Sequence, residues 1–296
     1  MSSRASAVGV AFERAAAEGR AALVGYVPAG FPSVDGGIEA AIAMAEAGAD
    51  VIEIGLPYSD PLIDGPVIQE AVHQALTGGT VVADVLRTVA AVAAAGVPTL
   101  IMTYWNPVEQ HGVARFAADL ARAGGSGLIT PDLTPEEAGP WLAAAAEHHL
   151  DPVFLVAPSS SDERIALITS VCGGFVYAAS LMGITGARAS VSSHAAELVS
   201  RTRDHTKLPV AVGLGVSNGA QAAQVASFAD GVIVGSAFVQ RLLAASSPAA
   251  GLASVRELAG ELAEGVRSGH SAGGSGQRGL GCPRGGRRPP GDTADG

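Results

Sequence analysis

Residues 51–66 read VIEIGLPYSDPLIDGP. The run opens as a strand with apolar side chains on both faces, yet Glu53 stands where another aliphatic residue belongs. Strand alternation sends Val51, Glu53 and Gly55 to one face and Ile52 and Ile54 to the other. Desolvation raises the pKa of a carboxyl, so an acid in this setting can give and take a proton near neutrality. Gly55 is small, which predicts open space beside Glu53 for a ligand. After the strand, Pro57, Pro61, Gly65 and Pro66 stiffen a loop carrying Ser59, Asp60 and Asp64, and that loop can bring a second carboxylate to the same place. The alternative is a buried, paired Glu53 with loop acids that only form turns.

Outward from this stretch the same rhythm repeats. Residues 7–18 form a short leading helix by pattern, and residues 21–28 (AALVGYVP) a first strand. Ile38, Ile42 and Ala45 mark a helix before residues 49–57, and Val81, Val85, Val89 and Val92 mark one after the proline-rich loop. Six more short apolar runs follow, bounded by Gly, Pro or Asp: PTLIMTYW at 98–105, GLITPD at 127–132, DPVFLVAP at 151–158, GFVYAAS at 174–180, PVAVGLGV at 209–216 and DGVIVGSA at 230–237. Thr134, Pro135, Glu136 and Glu137 read as a capping box leading to Ala138, Trp141, Leu142 and Ala145 on one helical face. A last helix carries Leu252, Val255, Leu258, Leu262 and Val266. Eight strands, each followed by a helix, imply an α/β fold: a closed (β/α)8 TIM barrel over residues 1–267. An open doubly wound sheet is the alternative, but the first strand-to-helix turn lacks a GxGxxG fingerprint. Residues 268–296 are rich in Gly, Arg and Pro and read as a disordered tail.

With 296 residues, 48% of them hydrophobic, the chain can bury a sizeable core. The net charge of -10 argues against a nucleic-acid or anionic-membrane partner. The N-terminus lacks the unbroken apolar core of a signal peptide, and no apolar run approaches the roughly 20 residues of a membrane span. Cys172 and Cys282 form no disulfide framework, so a cytoplasmic location is expected.

In such barrels the reacting groups lie at the C-terminal ends of the strands, with phosphate commonly held by the late loops. Gly183 to Gly186, with Thr185 between, follows the sixth strand; Gly213 and Gly215 follow the seventh; Gly235 and Ser236 follow the eighth. Glycines let backbone N–H groups approach an anion, and a helix starting at Ser236 adds its dipole. Plain turn chemistry is the alternative for any one of them. The sole lysine, Lys207, precedes the seventh strand and belongs at the opposite end, which rules it out as a Schiff-base former or pyridoxal phosphate anchor at the mouth. No histidine pair has metal-ligand spacing, so no metal is expected. Glu53 and Asp64 remain as a carboxylate pair facing a phosphate site. Tyr177, on the inside of the sixth strand, is either a hydroxyl donor or core packing.

These residues carry a resemblance. The stretch 51–66, with MTYWNPV, YAASLMGITGAR, GLGVSN and VGSAFV later in the same order, resembles the tryptophan synthase alpha chain family from about Arg4 to Arg267. The resemblance implies Glu53 and Asp64 as the catalytic acids, Tyr177 at the indole end, Gly186, Gly215, Gly235 and Ser236 around the substrate phosphate, and Thr185 and Gly213 among the other substrate-binding residues. It also implies that Asp60, Asn106 and Pro107 face a beta subunit in an alpha2beta2 assembly, that pyridoxal phosphate belongs to that partner with no cofactor in this chain, and that residues 183–193 close as a lid. The implied reaction is retro-aldol cleavage of indole-3-glycerol phosphate to indole and glyceraldehyde 3-phosphate, a lyase step of tryptophan biosynthesis. A non-catalytic phosphate-binding subunit and a phosphosugar isomerase are the rival readings.

Overall fold

The computed structural model describes residues 6–179 and 188–273, with the side chains of 188–192 and 270–273 left aside. Eight parallel strands close into a barrel in chain order. They are β1 (Ala22–Pro28), β2 (Val51–Gly55), β3 (Thr99–Met102), β4 (Gly127–Thr130), β5 (Asp151–Val156), β6 (Val176–Ala179), β7 (Val210–Gly213) and β8 (Gly231–Val234), and β8 pairs back onto β1. No open doubly wound sheet is compatible with that closure.

The helices are α1 (Ala7–Ala17), α2 (Val34–Glu46), α3 (Pro66–Thr77), α4 (Val82–Ala94), α5 (Trp105–His111), α6 (Val113–Arg122), α7 (Gly139–His148), α8 (Asp162–Val171), α9 (Arg188–Arg203), α10 (Gly219–Ala226), α11 (Ser236–Leu243) and α12 (Pro248–Gly273). Alternation along the strands builds two apolar layers. Val24, Val51, Leu100, Ile129, Val153 and Phe175 fill the barrel, while Leu23, Ile52, Ile54, Ile101 and Val232 pack outward against the helices. Phe12 of α1 stacks on Phe175 with ring centroids 5.2 Å apart and plugs the N-terminal end of the barrel. At that end Asp50 accepts from Arg20 at 2.6 and 2.9 Å, from Arg14 at 3.1 Å and from the N–H of Leu23, a buried ion pair whose carboxylate accepts four hydrogen bonds.

Several local expectations are corrected. Two helices, α3 and α4, stand between β2 and β3 where one was read; α3 buries the short side chains Ala71 and Ala75 beside Ile68 and Val72, a fainter stripe than the valines of α4. The run 98–105 stops being a strand at Met102, because the carboxylate of Asp132 accepts from the N–H of Trp105 at 2.9 and 3.1 Å and starts α5 there. The Thr134 capping box begins no helix: residues 134–138 form turns, and α7 starts at Gly139. Pro140 lacks an N–H and fits only the first helical turn, so the helix cannot begin as early as Pro135. The tail boundary also moves. α12 continues past Arg267 to Gly273, and Gly269 packs so closely on α10 that an added Cβ would lie 2.1 Å from the carbonyl oxygen of Ala223. The rest of the expected tail, 274–296, lies outside the described residues.

Candidate active site

Glu53 is 1% exposed on the inner face of β2, beside Tyr26 of β1 and Leu100 of β3 in the strand register. Its Oε2 is buried with no hydrogen-bond partner among the described residues. Burial, reinforced by the negative charge of Asp64, pushes its pKa up from 4.5 to about 8. A carboxyl so placed keeps its proton at neutral pH and can deliver it. The open space expected beside it is not there: a Cβ added at Gly55 would stand 2.3 Å from the Tyr26 hydroxyl, so Gly55 makes room for a phenol.

Asp64 stands half-buried in the loop after β2. Burial raises its pKa, and a hydrogen bond from Tyr104 opposes the rise. The Tyr104 hydroxyl donates to Asp64 Oδ2 at 3.1 Å and accepts from the N–H groups of Leu62 and Ile63 at 2.9 and 3.1 Å. One phenol therefore satisfies the loop backbone and aims the acid, using its donor and both lone pairs. Tyr26, Tyr58, Asp64 and Tyr104 line a narrow cavity at the C-terminal mouth of the barrel.

Tyr177 lies inside the barrel on β6, next to Phe175, with its pKa raised well above the usual phenol value by burial and then by the charges of Glu53 and Asp64. It thus has both attributes the sequence left open, an apolar setting and a neutral hydroxyl near the acids. That hydroxyl sits over Gly213, where an added Cβ would be 2.5 Å away, so Gly213 is a space for Tyr177 before it is an anion contact. Gly215 has φ +66°, a left-handed conformation that suits glycine. Gly235 is the N-cap of α11, which starts at Ser236 directly after β8, so the first turn of that helix lies at the C-terminal end of the barrel. Thr185 and Gly186 lie outside the described residues. Of the expected lid, 183–187 lie outside as well, while 188–193 already belong to α9.

A family model described as tryptophan synthase alpha chain matches residues 12–267. The chain belongs to the tryptophan synthase alpha chain family. It is 62% identical over 256 residues to the tryptophan synthase alpha chain of Streptomyces avermitilis, covering 86% of this chain and 92% of that one. It is also 62% identical over 263 residues to that of Salinispora arenicola, covering 89% and 98%. Among solved structures, Mycobacterium tuberculosis tryptophan synthase superposes with a TM-score of 0.83 at 53% identity, covering 89% of this chain and 99% of that chain. The alpha subunit of tryptophan synthase from Legionella pneumophila superposes with a TM-score of 0.81 at 31% identity, covering 89% and 99%. Membership of the tryptophan synthase alpha chain family removes the phosphosugar isomerase alternative.

Beyond the acids, the structure groups residues that pattern reading had kept apart. Asp60 and Asn106 are exposed and Pro107 half-buried at the same mouth, where Asn106 donates to the Tyr58 hydroxyl at 3.3 Å and Asp60 accepts from Ser59 at 2.6 Å. Between Asp60 and Asp64, Leu62 and Ile63 expose 75% and 47% of their surface, an apolar pair that sequence reasoning had passed over. Tyr26 carries no sequence signal of its own, and Tyr104 only that of the turn leading to Asn106 and Pro107, which the resemblance turns toward the partner; an aromatic in an apolar run carries no local mark of what its hydroxyl meets. Lys207 stands where expected, at the far end of the barrel, lining a roomier cavity of about 410 Å³ with Phe12, Leu208 and Pro209. Greater volume does not make that cavity the reaction site: Glu53 and Asp64 come together at the other end, and the one further described acid that burial raises, Asp151 at the start of β5, does not line it. Among the described residues no group of three or more His, Cys, Asp or Glu side chains can hold a metal ion, and no single helix is long and apolar enough to cross a membrane.

Proposed function

We propose that Glu53 and Asp64 carry out the retro-aldol cleavage of indole-3-glycerol phosphate to indole and glyceraldehyde 3-phosphate, the alpha-chain step of tryptophan biosynthesis. The observation that carries the assignment is the buried Glu53, unpaired at Oε2, on the inner face of the barrel with Asp64 held above it by Tyr104. Protonated Glu53 delivers its proton to indole C3, and the ring nitrogen takes up the positive charge. The carboxylate of Asp64 accepts the N1–H and stabilises that charge. The Glu53 carboxylate then takes the proton of the adjacent glycerol hydroxyl; the bond from C3 to the glycerol carbon breaks, its electron pair restores the aromatic ring, and the carbon leaves as an aldehyde. Two carboxyls with different surroundings thus serve as proton carrier and as fixed charge. Gly215, Gly235 and Ser236, with Gly186, are assigned to the phosphate, and Tyr177 to the indole end.

The same reading places a beta subunit on Asp60, Asn106 and Pro107 in an alpha2beta2 assembly in the cytoplasm, with pyridoxal phosphate in that partner and none needed in this chain. The exposed Leu62 and Ile63 support it, since they share the short loop of Asp64 and offer apolar surface at the mouth. The test is indole release from indole-3-glycerol phosphate by the purified chain, with and without a binding-competent beta subunit. Indole release that rises with the partner is expected; a chain inert under both conditions would remove the assignment.

A further inference from the structure

Tyr26 has no part in the mechanism above, yet it joins both halves of the site. It lies on the inner face of β1, directly beside Glu53 in the register. Its ring rests against Gly235, where an added Cβ would be 3.1 Å from Cδ1, and its hydroxyl reaches over Gly55, at the end of the strand that carries Glu53. The same side chain lines the cavity of Asp64 and Tyr104. One phenol therefore spans the distance between the start of α11 and the acid pair. If the phosphate is held at Gly235 and Ser236 and the indole N–H at Asp64, the three-carbon linker between them has to cross Tyr26. That linker carries two hydroxyls. Burial, and after it the charges of Asp64 and Glu53, push the Tyr26 pKa well above its usual value, so the phenol keeps its proton and remains a donor.

We propose that Tyr26 contacts the substrate, its hydroxyl hydrogen-bonding a hydroxyl of the glycerol linker and so selecting a hydroxylated chain over a deoxygenated one. The inference deepens the proposed function and rests on it. A wall whose only task was packing would need the ring and not the oxygen, whereas Gly55 leaves room for the oxygen in particular. A site that hydrogen-bonds a substrate hydroxyl discriminates against ligands lacking it, because the buried partner is left unpaired.

The test compares Tyr26→Phe with the unsubstituted chain on two ligands of the same length: indole-3-glycerol phosphate as substrate, and indole-3-propanol phosphate, which has no linker hydroxyl, as competitive inhibitor. The expected result is a fall of about tenfold in kcat/KM for the substrate, with the inhibition constant of the deoxygenated ligand changing less than about twofold. Equal losses for both ligands, or no loss for either, would overturn the inference while leaving the proposed function intact. If the unsubstituted chain, supplied with its partner, released no indole, the proposed function would fail first and the inference with it.

Discussion

Tyr104 holds Asp64: the phenol donates to Oδ2 at 3.1 Å while accepting two N–H groups of the loop that carries the acid. Asp64 is thereby tied to the barrel wall after β3, on a loop whose neighbouring side chains Leu62 and Ile63 are exposed. A partner that covers Leu62 and Ile63 acts on the same short segment as Tyr104. This gives a physical route by which docking at the mouth bears on the acid, since loop order and acid position share one set of hydrogen bonds.

Replacing Tyr104 with Phe removes all three bonds and keeps the ring. Indole release should fall by about tenfold in kcat/KM, and the Asp64 pKa should climb, because burial is then unopposed. A pH series of steady-state kinetics checks both. An unchanged acid limb would mean that the hydroxyl does not tune Asp64.

Glu53→Gln keeps the shape and loses the proton carrier, so turnover should fall by about 10²- to 10⁴-fold while substrate still binds through its phosphate. Stability should move the other way. Between 4.5 and about 8 the folded chain holds a proton on Glu53 that the unfolded chain has released. Wild-type stability therefore declines as pH rises through that window, and glutamine escapes the loss. Denaturant melts at several pH values should show the variant gaining on the wild type up to about pH 8 and holding a constant lead above it.

Asp64→Asn retains an acceptor for the indole N–H but not the charge. Its rate should fall while staying above that of Glu53→Gln, since it weakens a stabilising charge without removing a transferred proton. Ranking the two purified variants by single-turnover indole formation decides the assignment of roles; the reverse order would exchange them.

Gly215→Val places a β-branched side chain at φ +66°. The strain distorts the loop after β7, so KM should rise several-fold with a smaller change in kcat, and circular dichroism should show the barrel retained. A rise in KM absent from a correctly folded variant would take Gly215 out of the phosphate site.

Gly265 and Gly269, one helical turn apart on α12, let that helix touch α10 backbone to backbone. An added Cβ would meet the carbonyl oxygens of Gly219 at 2.3 Å and Ala223 at 2.1 Å. Gly265→Ala should cost about 1–3 kcal/mol by overpacking. A chain ending after Arg267 should melt about 2–4 °C below one ending after Gly273, which keeps Gly269. Calorimetry of the two lengths is the check, and equal melting temperatures would show that the last turn adds nothing.

Much of this molecule is legible one segment at a time. Eight apolar runs bounded by Gly, Pro and Asp specify eight strands, since side-chain alternation and chain-breaking residues act over a few positions. Glu53 was visible because a carboxyl inside such a run breaks its pattern, and Asp64 because a rigid loop follows directly. Closure of the barrel decided what no local period records. It brought the Tyr104 hydroxyl onto an acid 40 positions earlier, filled the space over Gly55 with Tyr26, and let Asp132 start a helix 27 positions before it. It also extended α12 through glycines that composition alone assigned to a tail. Period and propensity are properties of neighbours in sequence, whereas register, curvature and close backbone approach join residues only after the sheet has closed, so the acids belong to the sequence and their poise to the tertiary fold.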